Sequence, residues 1–152
     1  MDFSLQQGYF RSNNTWYVNN KHTIDFGINL LYYKIHPGTF NKNSTQSIVI
    51  PKIINPEQAI ESAVYLGDKF NISDNLTVEG GARFALFNNL GPQQVRSYVE
   101  GSPRNAGNIV ETTDYKKGDI TKTYSGPEFR LSARYSFTDD FSVKAGFNAQ
   151  RQ

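Results

Sequence analysis

Cysteine is absent from the 152 residues, which removes disulfide frameworks, thiol catalysis and any Cys-based zinc site together. His22 and His36 are then the only imidazoles. His22 and Asp25 could in principle share a metal, but residues three apart on a strand point to opposite faces, so no metal site is expected there. A Ser-His-Asp triad needs a histidine that a carboxylate orients toward a serine. His22 falls at a predicted turn and His36 at the entrance to a loop, so neither suits that role. Paired carboxylates could hydrolyse a glycoside across a cleft, and Asp25, Glu61, Asp68 and Glu79 are the acids on predicted strands. Arg83, Arg130, Arg134 and Lys144 alternate along polar strand faces, and pairing with them would satisfy these acids without catalysis. Gly80 and Gly81 make no phosphate loop, because no helix and no Lys-Ser/Thr pair follows them. The chain is read as non-enzymatic, with no catalytic residue, metal or cofactor.

The elements that hold these groups are strands. In residues 23–33, Ile24, Phe26, Ile28, Leu30 and Tyr32 alternate with Thr23, Asp25, Gly27, Asn29 and Leu31, a period of two. Leu76, Val78, Ala82, Phe84 and Leu86 alternate in the same way with Thr77, Glu79, Gly81 and Arg83. Phe129, Leu131, Ala133, Tyr135 and Phe137 are interleaved with Arg130, Ser132 and Arg134, and Phe141, Val143, Ala145 and Phe147 with Lys144, Gly146 and Asn148. Two further strands are expected at residues 3–17, which are largely polar, and 59–72, where Val64 and Leu66 compete with Ala63 and Tyr65 for the apolar face. The reading is all-β: an antiparallel up-and-down meander of about six long strands.

Connections alternate between short and long. Residues 19–21, 73–75 and 138–140 carry the Asn, Asp and Ser that suit tight hairpin turns, whereas residues 37–57 and 91–124 are long loops. Short turns at one end and long loops at the other are what outer-membrane barrels show. Strand length agrees, since about nine to eleven tilted residues cross a bilayer while ordinary strands run to about five or six. Within the first loop, residues 48–54 form an apolar patch broken by Pro51, read as a short strand or a packed loop turn, with a cover over a lumen or a contact with a neighbouring loop as the alternative. The second loop mixes Arg96, Glu100, Arg104, Glu111, Asp114, Lys116, Lys117, Asp119 and Lys122 with glycine and reads as solvated and mobile.

Composition sets outer bounds. Aromatics make up 14% of residues while apolar residues reach only 38%, which suits β-structure with one wet and one greasy face. A net charge of +2 is too small to argue for a nucleic-acid partner. No apolar run approaches the roughly 18 to 20 residues of a spanning helix, and the N-terminus lacks the layout of a secretory signal, so an exported protein would be represented here by an internal fragment.

Glu61 to Leu66 with Asp68, the turn Ile72-Ser73-Asp74-Asn75-Leu76, and Gly81-Ala82-Arg83-Phe84 resemble the barrel hairpin of TonB-dependent outer-membrane receptors, especially the Bacteroidetes type. The residues from Gly126 to Tyr135, with Val143, Lys144, Ala145 and Asn148, look like the following family hairpin, and His22 to Gly27 like the preceding one. The resemblance implies a segment of a transmembrane β-barrel of roughly 22 strands. Residues 1–152 are therefore expected to be a partial barrel domain, in which the family's plug domain has no counterpart. It also implies facing. Asp25, Asn29, Glu79, Arg83, Arg130, Arg134, Lys144 and Asn148 would face the lumen, and Ile24, Phe26, Ile28, Leu30, Val78, Phe84, Leu86, Leu131, Val143 and Phe147 the lipid. The implied function is part of an outer-membrane receptor importing a scarce nutrient: a ferric siderophore, cobalamin or a glycan. The implied partners are outer-membrane lipid, the receptor's own plug domain, the TonB energy-coupling complex, the transported ligand and a surface lipoprotein, with no nucleic acid. A small soluble β-barrel or β-sandwich that binds a ligand, its greasy face forming a core, is the alternative.

Overall fold

The computed structural model describes residues 3–42, 44–48, 50 and 52–150. Six strands form one sheet in the order β1-β2-β5-β6-β9-β10: β1 Ser4–Tyr17, β2 His22–His36, β5 Glu57–Asn71, β6 Leu76–Leu90, β9 Ile120–Ser136 and β10 Ser142–Ala149. Each strand lies beside its predecessor in the chain, as an up-and-down meander requires, and β1 and β10 are not paired with each other. The sheet is open. Five of the six strands span 14 to 17 residues, well beyond the ordinary strand length of about five or six.

The chain forms two compact units. One comprises residues 9–31, 61–87 and 124–152 and holds the three tight turns. These turns close alike: the amide of Val18, Ile72 or Phe137 donates to the carbonyl four residues on, in His22, Leu76 or Phe141, at 2.9–3.1 Å. A side-chain oxygen then caps each turn. Asn19 Oδ1 accepts from the amides of Lys21 and His22, Ser73 Oγ from Leu76 and Thr138 Oγ1 from Phe141. Short polar side chains that bond nearby backbone are what such turns select.

The other unit comprises residues 1–8, 32–60 and 88–123 and holds the long connections. β3 Thr39–Phe40 pairs with β4 Lys52–Ile53, so the end of the apolar patch is a short strand. Ile48 is 98% exposed, and Val49 and Pro51 lie outside the described residues. The second connection is solvated, as expected, and carries regular structure that was not expected. β7 Gln93–Tyr98 and β8 Ile109–Tyr115 pair antiparallel over six register positions, and a 3-10 turn at Ala106–Asn108 precedes β8. The β-branched residues Ile109, Val110, Thr112 and Thr113 favour a strand, a preference that the surrounding charges masked.

Very little is buried. Among the described residues, Ala59 and Ala63 are the buried apolar residues and Gln58 the buried polar one, and no large side chain is fully enclosed. Gln58 accepts from the Tyr32 hydroxyl at 2.9 Å and donates to the Gly91 carbonyl at 3.4 Å. A soluble domain of this size buries a cluster of Leu, Ile, Val and Phe. Here Phe26, Ile28, Leu30, Phe84, Leu131, Val143 and Phe147 are exposed, so the greasy face forms no core.

Candidate functional site

The β9–β10 register fixes which residues share a face. Lys144 stands opposite Arg134, Gly146 opposite Ser132 and Asn148 opposite Arg130. The intervening pairs are Val143 with Tyr135, Ala145 with Ala133 and Phe147 with Leu131. Side chains alternate along each strand, so one face carries cations and amides and the other aromatic and aliphatic groups. Of the remaining candidates for the apolar side, Phe26, Ile28, Leu30 and Phe84 are exposed, and Ile24, Val78 and Leu86 are half-buried.

The polar residues gather around a recess of about 500 Å³ whose lining includes Asp25, Asn29, Arg83, Arg130 and Asn148. Arg83 organises one side of it. Its Nη2 donates to Glu61 Oε1 at 3.2 Å and its Nη1 to Glu128 Oε2 at 3.0 Å, so one guanidinium holds acids from β5 and β9. Its Nε is buried without a hydrogen-bond partner among the described residues, as is Asn29 Oδ1. Across the recess the Thr15 hydroxyl donates to Asp25 Oδ1 at 2.6 Å, and the Tyr65 hydroxyl to Asn13 Oδ1 at 2.9 Å. Tyr65 and Leu66 both line this recess, and Val64 and Leu66 are exposed.

Glycines make room for these long side chains. A Cβ on Gly81 would stand 3.0 Å from Arg130 Nε, and one on Gly67 3.3 Å from its Nη2, so the Arg130 side chain lies across positions that carry none. Gly27 gives a closer clearance, first to the Ser12 carbonyl oxygen of β1 and then to the Tyr65 ring. These are the close approaches that strand glycines permit.

Beside this recess lies a smaller one of about 160 Å³, lined by Lys69, Thr77, Glu79, Ser132, Arg134 and Lys144. Glu79 is 3.8 Å from Lys144 Nζ. The expected network of acids with Arg83, Arg130, Arg134 and Lys144 is thus half present: Arg83 and Lys144 pair with acids, whereas Arg130 and Arg134 make no ion pair among the described residues. Asp68 pairs elsewhere, its Oδ2 accepting from His22 Nδ1 at 2.7 Å. The His22 ring also stacks on Phe70, with centroids 4.2 Å apart.

Several participants were not anticipated. Glu128 lies just before the alternation that begins at Phe129, whereas β9 starts at Ile120 and runs through it. Asn13 and Thr15 sit on β1, whose largely polar sequence offers no alternation to mark a face. Among the described residues no cluster of three or more His, Cys, Asp or Glu could hold a metal. What the arrangement offers is an amphipathic wall: a polar face with charge-assisted pairs and an uncovered apolar face.

No described helix is long and apolar enough to cross a membrane, which says nothing about strands. The chain is similar in fold to a crystal structure of the ferric-catecholate import receptor Fiu from E. coli K12 in its open form, with a TM-score of 0.52 and 17% sequence identity. That match covers 99% of this chain and 26% of the receptor, so the chain spans about a quarter of its length. No curated protein matches the sequence significantly. The family described as TonB dependent receptor-like, beta-barrel matches residues 2–150, and the chain belongs to that β-barrel family.

Proposed function

We propose that this chain is a wall segment of an outer-membrane receptor, of the Bacteroidetes type, that imports a scarce nutrient by TonB-dependent transport. The observation that carries the reading is the exposed apolar face on strands of 14 to 17 residues. A water-facing protein rarely leaves so large a contiguous greasy surface uncovered, and strands of this length exceed the about nine to eleven residues that a tilted crossing needs. Ile24, Phe26, Ile28, Leu30, Val78, Phe84, Leu86, Leu131, Val143 and Phe147 then meet lipid. Asp25, Asn29, Glu79, Arg83, Arg130, Arg134, Lys144 and Asn148 face the lumen and the receptor's plug domain.

The segment performs no catalysis in this reading. Its tight turns lie at the periplasmic side and its long connections outside the cell, as outer-membrane barrels arrange them. Residues 37–57 and 91–124 supply any ligand contact, to a ferric siderophore, cobalamin or a glycan. The TonB complex acts on the plug, and a surface lipoprotein is a further partner of the loops.

Cysteine labelling of the full-length receptor in outer membranes tests the facing, helped by the absence of native cysteine in this segment. Phe147→Cys should react with a bilayer-soluble maleimide and resist a charged one, while Asn148→Cys should do the reverse. Equal reaction of both positions with the charged reagent would overturn the assignment.

A further inference from the structure

Lys144 and Arg134 stand directly opposite each other on β10 and β9, and like charges so placed weaken a sheet. Lys69 of β5 lines the same 160 Å³ recess. Glu79 is the one acid lining it, held loosely at 3.8 Å from Lys144 Nζ and at 3.5 Å from the Ser132 hydroxyl. Neither Lys69 nor Arg134 makes an ion pair among the described residues. Three cations therefore surround a single carboxylate, and two positive charges lack a counter-charge. The Thr77 hydroxyl does not compete for an incoming group, since it already donates to Asn71 Oδ1 at 2.9 Å.

We propose that this recess seats a carboxylate from another segment of the same receptor polypeptide, packed against the polar face. The proposal rests on the reading that this face looks into the barrel, and it names the chemistry of what meets it: an acidic side chain received by Lys69, Arg134 and Lys144. The arginine provides a planar fork for a carboxylate and the lysines compact point charges. The recess is roomy enough to admit a carboxyl head group. A free oxyanion of similar size has the same charge, but half-exposed cations attract it only weakly at physiological ionic strength. An attached carboxylate instead arrives at the high effective concentration of an intramolecular contact.

The test is zero-length carbodiimide coupling of the full-length receptor, purified in detergent, followed by peptide mapping. Coupling joins an amine only to a carboxylate in direct contact, so Lys69 or Lys144 should be found linked to an Asp or Glu outside this chain. Arg134→Glu should lower the yield of the Lys69 product about tenfold, the factor that one charge-assisted hydrogen bond supplies. Arg134→Lys should keep most of it. Three results would overturn the proposal: links to Glu79 alone, no link with both lysines freely acetylated in water, or protection of the lysines by inorganic phosphate without any link beyond this chain. The last would make a free anion the occupant. Labelling at Phe147 and Asn148 reads the facing separately, so a receptor with correct facing and no such link would reject this inference and leave the proposed function intact.

Discussion

The Tyr65 ring passes over Gly27 so closely that a Cβ on the glycine would stand 2.7 Å from the tyrosine hydroxyl oxygen. That hydroxyl then donates to Asn13 at 2.9 Å, so one side chain of β5 reaches over β2 to a side chain of β1. The missing side chain at position 27 lets three strands be tied by one ring.

Gly27→Ala should destabilise the folded receptor by about 1–3 kcal/mol, the usual cost of overpacking. Tyr65→Phe removes the hydroxyl alone and should cost about 0.5–1.5 kcal/mol. Denaturant unfolding of the full-length protein in lipid vesicles measures both. A Cβ at position 27 would press still harder on the Ser12 carbonyl oxygen of β1 than on the ring, so combining Gly27→Ala with Tyr65→Ala should recover only part of the Gly27→Ala penalty. Full additivity would assign that penalty to the Ser12 carbonyl alone.

Arg83 holds two acids of unequal exposure: the Glu61 side chain is 40% exposed and that of Glu128 13%. Glu61→Gln should cost no more than about 1 kcal/mol, as half-exposed pairs usually do. Arg83→Met leaves the enclosed Glu128 without its cation and should cost roughly 1–3 kcal/mol. Equilibrium unfolding of each variant checks the order, and a larger loss for Glu61→Gln would contradict the exposure argument.

Leu131→Arg places a charge on the apolar face, and an arginine near the bilayer midplane costs about 2–4 kcal/mol. Reduced outer-membrane levels of the full-length receptor are expected, with little change for Ser132→Arg one residue along the strand. Unchanged assembly of Leu131→Arg would place that face away from lipid.

Removal of the β7–β8 hairpin, residues 93–115, should leave assembly near normal and abolish nutrient uptake. Loop tips tolerate such changes where few packed contacts depend on them. Immunoblotting of outer membranes and growth on the limiting nutrient read the two effects separately, and uptake at the normal rate would remove this hairpin from the ligand route.

The wall was legible wherever period-two alternation put aromatic and aliphatic residues on one side. Ile24 to Tyr32 and Phe129 to Phe137 each announced a strand and its two faces, and the Asn and Asp of residues 19–20, 74–75 and 139–140 announced the turns. Legibility stopped where a signal was not local. His22 and Asp68 meet across 46 residues of sequence, and short-range spacing pointed instead to Asp25, which bonds Thr15. Glu128 lay outside the alternation that begins at Phe129, because the mixed polar residues before it carry no period-two signal. The β7–β8 hairpin was hidden by its charges. Its Gln94, Arg96 and Asp114 side chains bond one another, a use of polar residues that composition alone reads as solvation.

The three turns close by the same backbone bond and the same kind of side-chain cap, which gives the wall a phase reference at one end only. An added residue in such a turn would shift a strand by one position and exchange its two faces, whereas a length change in a long connection leaves that phase untouched. On the proposed function, the long connections can therefore change in length and sequence while the strands keep their lumen and lipid faces.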